Sequence, residues 1–190
     1  RFYKEETKRV KNRGDLKYSI EQKDEFLRDL ITHRAYGYVW NKCCRRELYD
    51  RSKAVFAKYG MFEDVFLMPQ LVYHAESIAH IDTPLYHYRR TNIGSISRQK
   101  RANKRLYSSM NMLDLYELFK DNLKDSPIKE SYGRILYHAA WCSLFYGLGL
   151  FEKYPYLAQT LRTVGVGRSN HLSILQQIIV RLAVSTGMLR

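Results

Sequence analysis

A change of hydrophobic period near residue 98 constrains this chain more than any other feature. Beyond it, Leu106, Met110, Leu113, Leu115 and Leu118 mark one helical face, and Ile135, Leu136, Ala139, Ala140, Leu144 and Phe145 mark another. Leu172 to Leu189 marks a third, interrupted by Gln176, Gln177 and Arg181, so it reads as an amphipathic helix and poorly as a membrane span. Asp125-Ser126-Pro127 and Val164-Gly165-Val166-Gly167 punctuate these runs. Residues 98–190 therefore form a mainly helical region. With 190 residues, 45% of them apolar, the chain can bury a full core, and one domain with an appendage is the expectation.

The first half has shorter and more varied elements. Residues 1–18 are charge-rich, carry a turn signal at Gly14-Asp15 and read as an exposed connection. Ser19 and Gln22 have capping-box form, and Phe26, Leu27, Leu30 and Ile31 follow at helical spacing, which predicts a helix over about 20–33. Tyr36-Gly37-Tyr38-Val39-Trp40 predicts a short strand, with Asn41 capping a helix through Cys43, Cys44, Leu48 and Tyr49. Val65, Leu67, Met68, Leu71, Val72 and Ala75 give a further helical face containing Pro69. Ser77 to Ile81 and Pro84 to Tyr88 read as two short strands, and residues 89–97 as a polar loop. Strands alternating with helices make residues 1–97 a mixed α/β unit. No internal repeat is visible.

Charge narrows the partners. Lys and Arg number 32 against 19 Asp and Glu, a net +13, which favours anionic partners such as nucleotide phosphates, nucleic acid or acidic lipid. Counted in blocks, only residues 61–90 hold more acids than bases. Three cysteines, two of them adjacent at Cys43-Cys44, form no disulfide framework and no zinc spacing, which fits a reducing compartment and packing roles. The charged opening Arg1-Phe2-Tyr3-Lys4 lacks signal-peptide form and suggests a fragment.

That acidic stretch opens on Glu63-Asp64, at the N-terminus of the helix containing Pro69. Moving a group from a phosphate to an alcohol requires a carboxylate base on the acceptor hydroxyl and cationic or hydrogen-bonding groups on the departing phosphates. Asp64 can be the base, and Glu63 can orient it or hold the acceptor. Lys42, Arg89, Arg90, Ser95 and Ser97 can meet phosphate oxygens. A bland alternative for the acids is a helix start favoured by the macrodipole. For Trp40 the alternative is a core aromatic, and for Asn41 a helix cap.

Four ordered blocks carry a resemblance: Trp40-Asn41-Lys42; Glu63-Asp64-Val65-Phe66; Pro84-Leu85-Tyr86-His87-Tyr88-Arg89; and Ser95-Ile96-Ser97. Together they resemble the C-terminal half of a bacterial family 2 glycosyltransferase. The resemblance covers residues 36–97 and implies the C-terminal half of a GT-A, Rossmann-like α/β domain over residues 1–97. It further implies a hexosyltransferase-type inverting transfer from a nucleotide-sugar donor to a glycan or lipid-linked acceptor, in cell-surface polysaccharide assembly. Asp64 would then be the base and Glu63 its motif neighbour, while Arg89, Ser95 and Ser97 would approach the donor pyrophosphate. Trp40, Asn41 and Lys42 would line the floor of the same cleft. A divalent metal, Mg or Mn, would also be required, yet the Asp-x-Asp motif that holds it is absent from this sequence. His87 is a candidate ligand. The nucleotide-binding half would lie upstream, leaving these residues inactive by themselves.

Two other function classes compete. The charge and the 16 tyrosines suit a nucleic-acid module, although no nucleic-acid motif appears and no such partner is expected. The basic cluster Arg98, Lys100, Arg101, Lys104 and Arg105 suits peripheral contact with anionic lipid. The expected location is the cytoplasm, with the inner membrane face as its docking surface.

Overall fold

The computed structural model describes residues 2–4, 9–11, 22–59, 61–81, 83, 85–86, 101–121, 129–163 and 172–187. They fall into two compact units: Arg1–Ala57 with Glu63–Gln99, and Lys58–Phe62 with Lys100–Arg190.

The first unit is built on helices. An antiparallel pair, β1 (Phe2–Lys4) and β2 (Arg9–Lys11), sets Phe2 opposite Lys11 and Lys4 opposite Arg9. Helices α1 (Lys23–Ile31), α2 (Arg46–Ser52) and α3 (Glu63–His74) follow, and α1 and α2 both pack on α3. Leu27, Leu30 and Ile31 of α1 are buried, as are Phe66, Leu67, Met68, Leu71 and Val72 of α3. These faces give the unit its apolar interior. Pro69 lies inside α3, where it withdraws the N–H that would bond the Val65 carbonyl.

The mixed α/β expectation is overturned. Beyond the terminal β1 and β2 no strand occurs among the described residues, so this is not a Rossmann-like half-domain. Residues 36–38 are irregular and Val39–Asn41 form a 3₁₀ turn. The carbonyls of Tyr36 and Tyr38, which a sheet would pair with backbone N–H groups, accept instead from the Lys42 ammonium. Residues 77–81 are likewise irregular. The helix expected from Asn41 begins only at Arg46, because Arg45 is extended, with ψ 144°.

Gln70 ties the loop after α2 to α3. Its buried amide donates to the Val55 carbonyl at 3.1 Å and the Phe66 carbonyl at 2.9 Å, and its oxygen accepts from the Val55 N–H at 3.0 Å.

The second unit is all helix among its described residues. Helix α4 (Arg101–Phe119) packs on α5 (Lys129–Tyr146), and α6 (Leu150–Lys153), α7 (Tyr156–Thr163) and α8 (Ile174–Ser185) complete it. Leu113, Leu136, Ala140, Leu150, Leu157, Leu161 and Val180 form a fully buried centre. Polar bonds fix its loops: Asn111 donates to the Met61 carbonyl at 2.7 Å, and Tyr154 donates to Asp114 Oδ1 at 2.8 Å. At α8, Ser173 and Gln176 cap the helix reciprocally, the capping box that residues 172–189 conceal behind their apolar run.

Gln70→Leu leaves the Val55 N–H and carbonyl without their side-chain partner. Urea unfolding is expected to show a loss of about 1–3 kcal/mol.

Candidate active site

The site is assembled by the segment that joins α1 to α2 lying against the first turn of α3. Helix α1 stops at Thr32, and His33 takes a left-handed conformation, φ 57°. The His33 N–H then bonds the Leu30 carbonyl at 3.2 Å and the Arg34 N–H bonds the Asp29 carbonyl at 2.8 Å, a Schellman closure made without glycine. Arg34 also pairs with the Asp29 carboxylate at 2.7 Å. The chain turns back, and Gly37 comes to rest on α3. A Cβ built on Gly37 would lie 3.4 Å from both the Asp64 carbonyl oxygen and the Val65 Cα. The two backbones pass at a distance that leaves room for a methyl group and little more.

Lys42 locks this segment. Its Nζ donates to the Tyr36 carbonyl at 2.7 Å, the Tyr38 carbonyl at 3.0 Å and Asn41 Oδ1 at 2.8 Å, so all three ammonium protons have acceptors. Burial lowers its pKa from 10.5 to about 8, against the pull of the nearby Asp64 charge, which acts to raise it.

Asp64 is half-buried and Glu63 beside it is exposed. Burial raises the Asp64 pKa above the ordinary carboxylate value, and repulsion from Glu63 adds to the rise. A bond from the Val65 N–H to Asp64 Oδ1 at 2.8 Å and the charge of Lys42 oppose it. Phe62, immediately before α3, is also left-handed at φ 62°, an uncommon conformation for an aromatic residue and a locally strained entry to the acidic turn. A carboxylate held partly out of water, with a raised pKa and a fixed cation within electrostatic reach, has the properties of a general base.

Three aromatic rings of the same segment form a column that Tyr86 extends. Tyr36 stacks on Tyr38 with centroids 5.1 Å apart, Tyr38 on Trp40 at 5.3 Å, and Trp40 on Tyr86 at 4.9 Å. The odd–even alternation that mimics a strand is thus satisfied by ring stacking along one side of a loop. Trp40 is half-buried in that column and not a core residue, and Asn41 serves Lys42 instead of capping α2.

The structure therefore brings together Asp64, Lys42, Asn41 and the Trp40 column. Arg89, Arg90, Ser95, Ser97 and His87 lie outside the described residues. Among those described, no group of three or more His, Cys, Asp or Glu side chains is placed to hold a metal ion. The ion that the resemblance implies finds no ligand set among those residues. All three cysteines are free; Cys142 is buried, Cys44 is half-buried with its thiol pKa raised by burial, and Cys43 is exposed, so packing does not explain Cys43. Tyr38, Tyr86 and Gly37 were not among the expected site residues. The Tyr-x-Tyr-x-Trp spacing was the available signal for the first of these.

Comparison with known proteins points to one class, the glycosyltransferases. One relative is a Bacillus subtilis (strain 168) protein provisionally named glycosyltransferase EpsH, 30% identical over 135 residues. That match spans 67% of this chain and 38% of the relative. It relates the chain to a glycosyltransferase. No family model matches the chain, and no solved structure matches it.

Two measurements check this geometry. In the first, a Lys42 resonance, assigned by its loss in Lys42→Arg, titrates near pH 8 in NMR of methyl-labelled lysines and falls lower still in Asp64→Asn, which removes the attraction that raises it. The linked stability has a definite sign. The folded state holds fewer protons on Lys42 than the unfolded chain between pH about 8 and 10.5, so this group's contribution to stability rises with pH across that window. The second concerns Gly37: Gly37→Ala is tolerated, whereas Gly37→Val forces branched atoms onto the α3 backbone and loses about 1–3 kcal/mol in thermal unfolding.

Proposed function

We propose that this chain is the acceptor-side part of a family 2, inverting glycosyltransferase that uses a nucleotide-sugar donor and builds a cell-surface glycan. The observation that carries the reading is the half-buried Asp64 carboxylate at the start of α3, raised in pKa and faced by Lys42. The match to the Bacillus subtilis relative supports the class. Because the chain spans 38% of that relative, donor recognition is assigned to the remainder of such a polypeptide.

In this mechanism the Asp64 carboxylate takes the proton of the acceptor hydroxyl. The acceptor oxygen then bonds to the anomeric carbon from the face opposite the leaving group. The bond from that carbon to the phosphate oxygen breaks, its electron pair leaves with the nucleoside diphosphate, and the anomeric configuration inverts. Arg89, Arg90, Ser95 and Ser97 are assigned to the departing pyrophosphate. Lys42 is assigned a positioning role, because its three protons already have acceptors and its charge stabilises ionised Asp64. Glu63 helps keep the Asp64 pKa raised and so keeps it basic. The column ending at Trp40 and Tyr86 offers flat apolar surface, suited to the C–H faces of a sugar acceptor.

The assay is sugar transfer by the polypeptide encoded by the whole reading frame that contains these residues. Asp64→Asn is expected to lower kcat by at least about 100-fold with little change in acceptor KM, and Glu63→Gln by less than about tenfold. The rising limb of the kcat/KM pH profile should lie above the ordinary carboxylate range. Undiminished transfer by Asp64→Asn would sink the assignment.

A further inference from the structure

Helix α8 is apolar on its buried side and on much of its outward side. Gln177, Val180 and Val184 face the interior of the second unit. Ile174, Leu175, Ile178, Ile179 and Leu182 are exposed, with Leu175 at 66%, Ile174 at 62% and Leu182 at 59%. At the turn of an α-helix these five side chains sweep an arc of roughly 140°. Exposed Arg181 borders that arc, and exposed Ser185, in the last turn, falls within it. A contiguous aliphatic stripe of this kind marks a contact surface and not ordinary scattered exposure.

Charge selects the occupant. From Lys153 to Arg190 the chain carries Lys153, Arg162, Arg168, Arg181 and Arg190 and not one Asp or Glu. No described helix is long and apolar enough to cross a membrane, and α8 at 12 residues spans about 18 Å against a hydrocarbon core of about 30 Å. The basic cluster singled out from the sequence is a separate feature, since Arg105 sits over the Tyr146 ring, 4.0 Å from its centroid.

We propose that the outer face of α8 docks in the plane of an anionic lipid bilayer, with Ile174, Leu175, Ile178, Ile179 and Leu182 among the upper acyl chains and Arg181 at headgroup level. The acid-free flanking sequence draws the helix to such a surface, and aliphatic burial holds it there. This rests on α8 alone and stands apart from the catalytic reading.

The test is co-sedimentation of the full chain with vesicles of phosphatidylcholine alone and of equal parts phosphatidylcholine and phosphatidylglycerol. Binding to the anionic vesicles is expected to exceed binding to neutral ones by at least about tenfold and to weaken as salt rises. Ile178→Glu/Leu182→Glu is expected to lower it by more than about tenfold, and Arg181→Glu by a smaller factor. Far-UV circular dichroism verifies that the exposed substitutions leave the fold intact; should the double variant unfold, Leu175→Gln/Leu182→Gln takes its place under the same criteria. Absence of wild-type binding to anionic vesicles, or equal binding by the folded double variant, overturns the proposal. So does self-association in sedimentation velocity that the double variant abolishes while vesicles are not bound, which would give the face to a second copy of the chain.

Discussion

The Lys42 ammonium is the interaction on which the first unit's site depends. One charged group donates to two backbone carbonyls and a side-chain amide oxygen of the 36–41 segment. It does so partly out of water, where a cation is tolerated because Asp64 stands near, and Asp64 is in turn held in its ionised form by the cation. Removing one member of such a pair leaves the other as an uncompensated buried charge, which is more damaging than losing both. The loop, the aromatic column and the acidic turn of α3 are therefore one structural unit, although 22 positions separate Lys42 from Asp64.

Fold legibility followed the length of each pattern. Helices α3, α4, α5 and α8 were readable because their apolar residues recur over three or more turns. Short segments were not. Tyr36, Tyr38 and Trp40 alternate as a strand would, but alternation only says that every second residue shares an environment, and ring stacking supplies one as well as a sheet face does. What decided the matter was the destination of the backbone carbonyls, which lies in a lysine side chain four to six residues away and is invisible to periodicity. The helix after Asn41 was misplaced for a related reason: the asparagine's oxygen was already bound to Lys42 and could not cap.

The candidate base was legible as a residue but not as an environment. Sequence order put Glu63-Asp64 at a helix start, where the macrodipole alone would lower a carboxylate's pKa. The structure shows the opposite net direction, because burial outweighs the Val65 N–H and Lys42. Burial of one carboxylate is set by tertiary packing, which no local pattern encodes. Residues such as Arg89 and Ser95 remain tied to the site by sequence order, and their role rests on the resemblance.

Helix α8 shows how a correct helix reading can invert its meaning. Gln176 and Gln177 look like interruptions of an apolar run, and their presence argues for an ordinary amphipathic helix with its polar side to solvent. Gln176 instead returns to cap Ser173, and Gln177 points inward, donating to the Leu172 carbonyl at 3.3 Å. Both polar side chains are thus consumed by the protein itself. Aliphatic residues on either side of them in the sequence turn outward instead, so the helix's outward face is strongly apolar. A helix apolar on both sides is stable at a protein surface only where a second apolar medium meets it. With no acidic residue from Lys153 onward to repel an anionic surface, a lipid bilayer fits that condition.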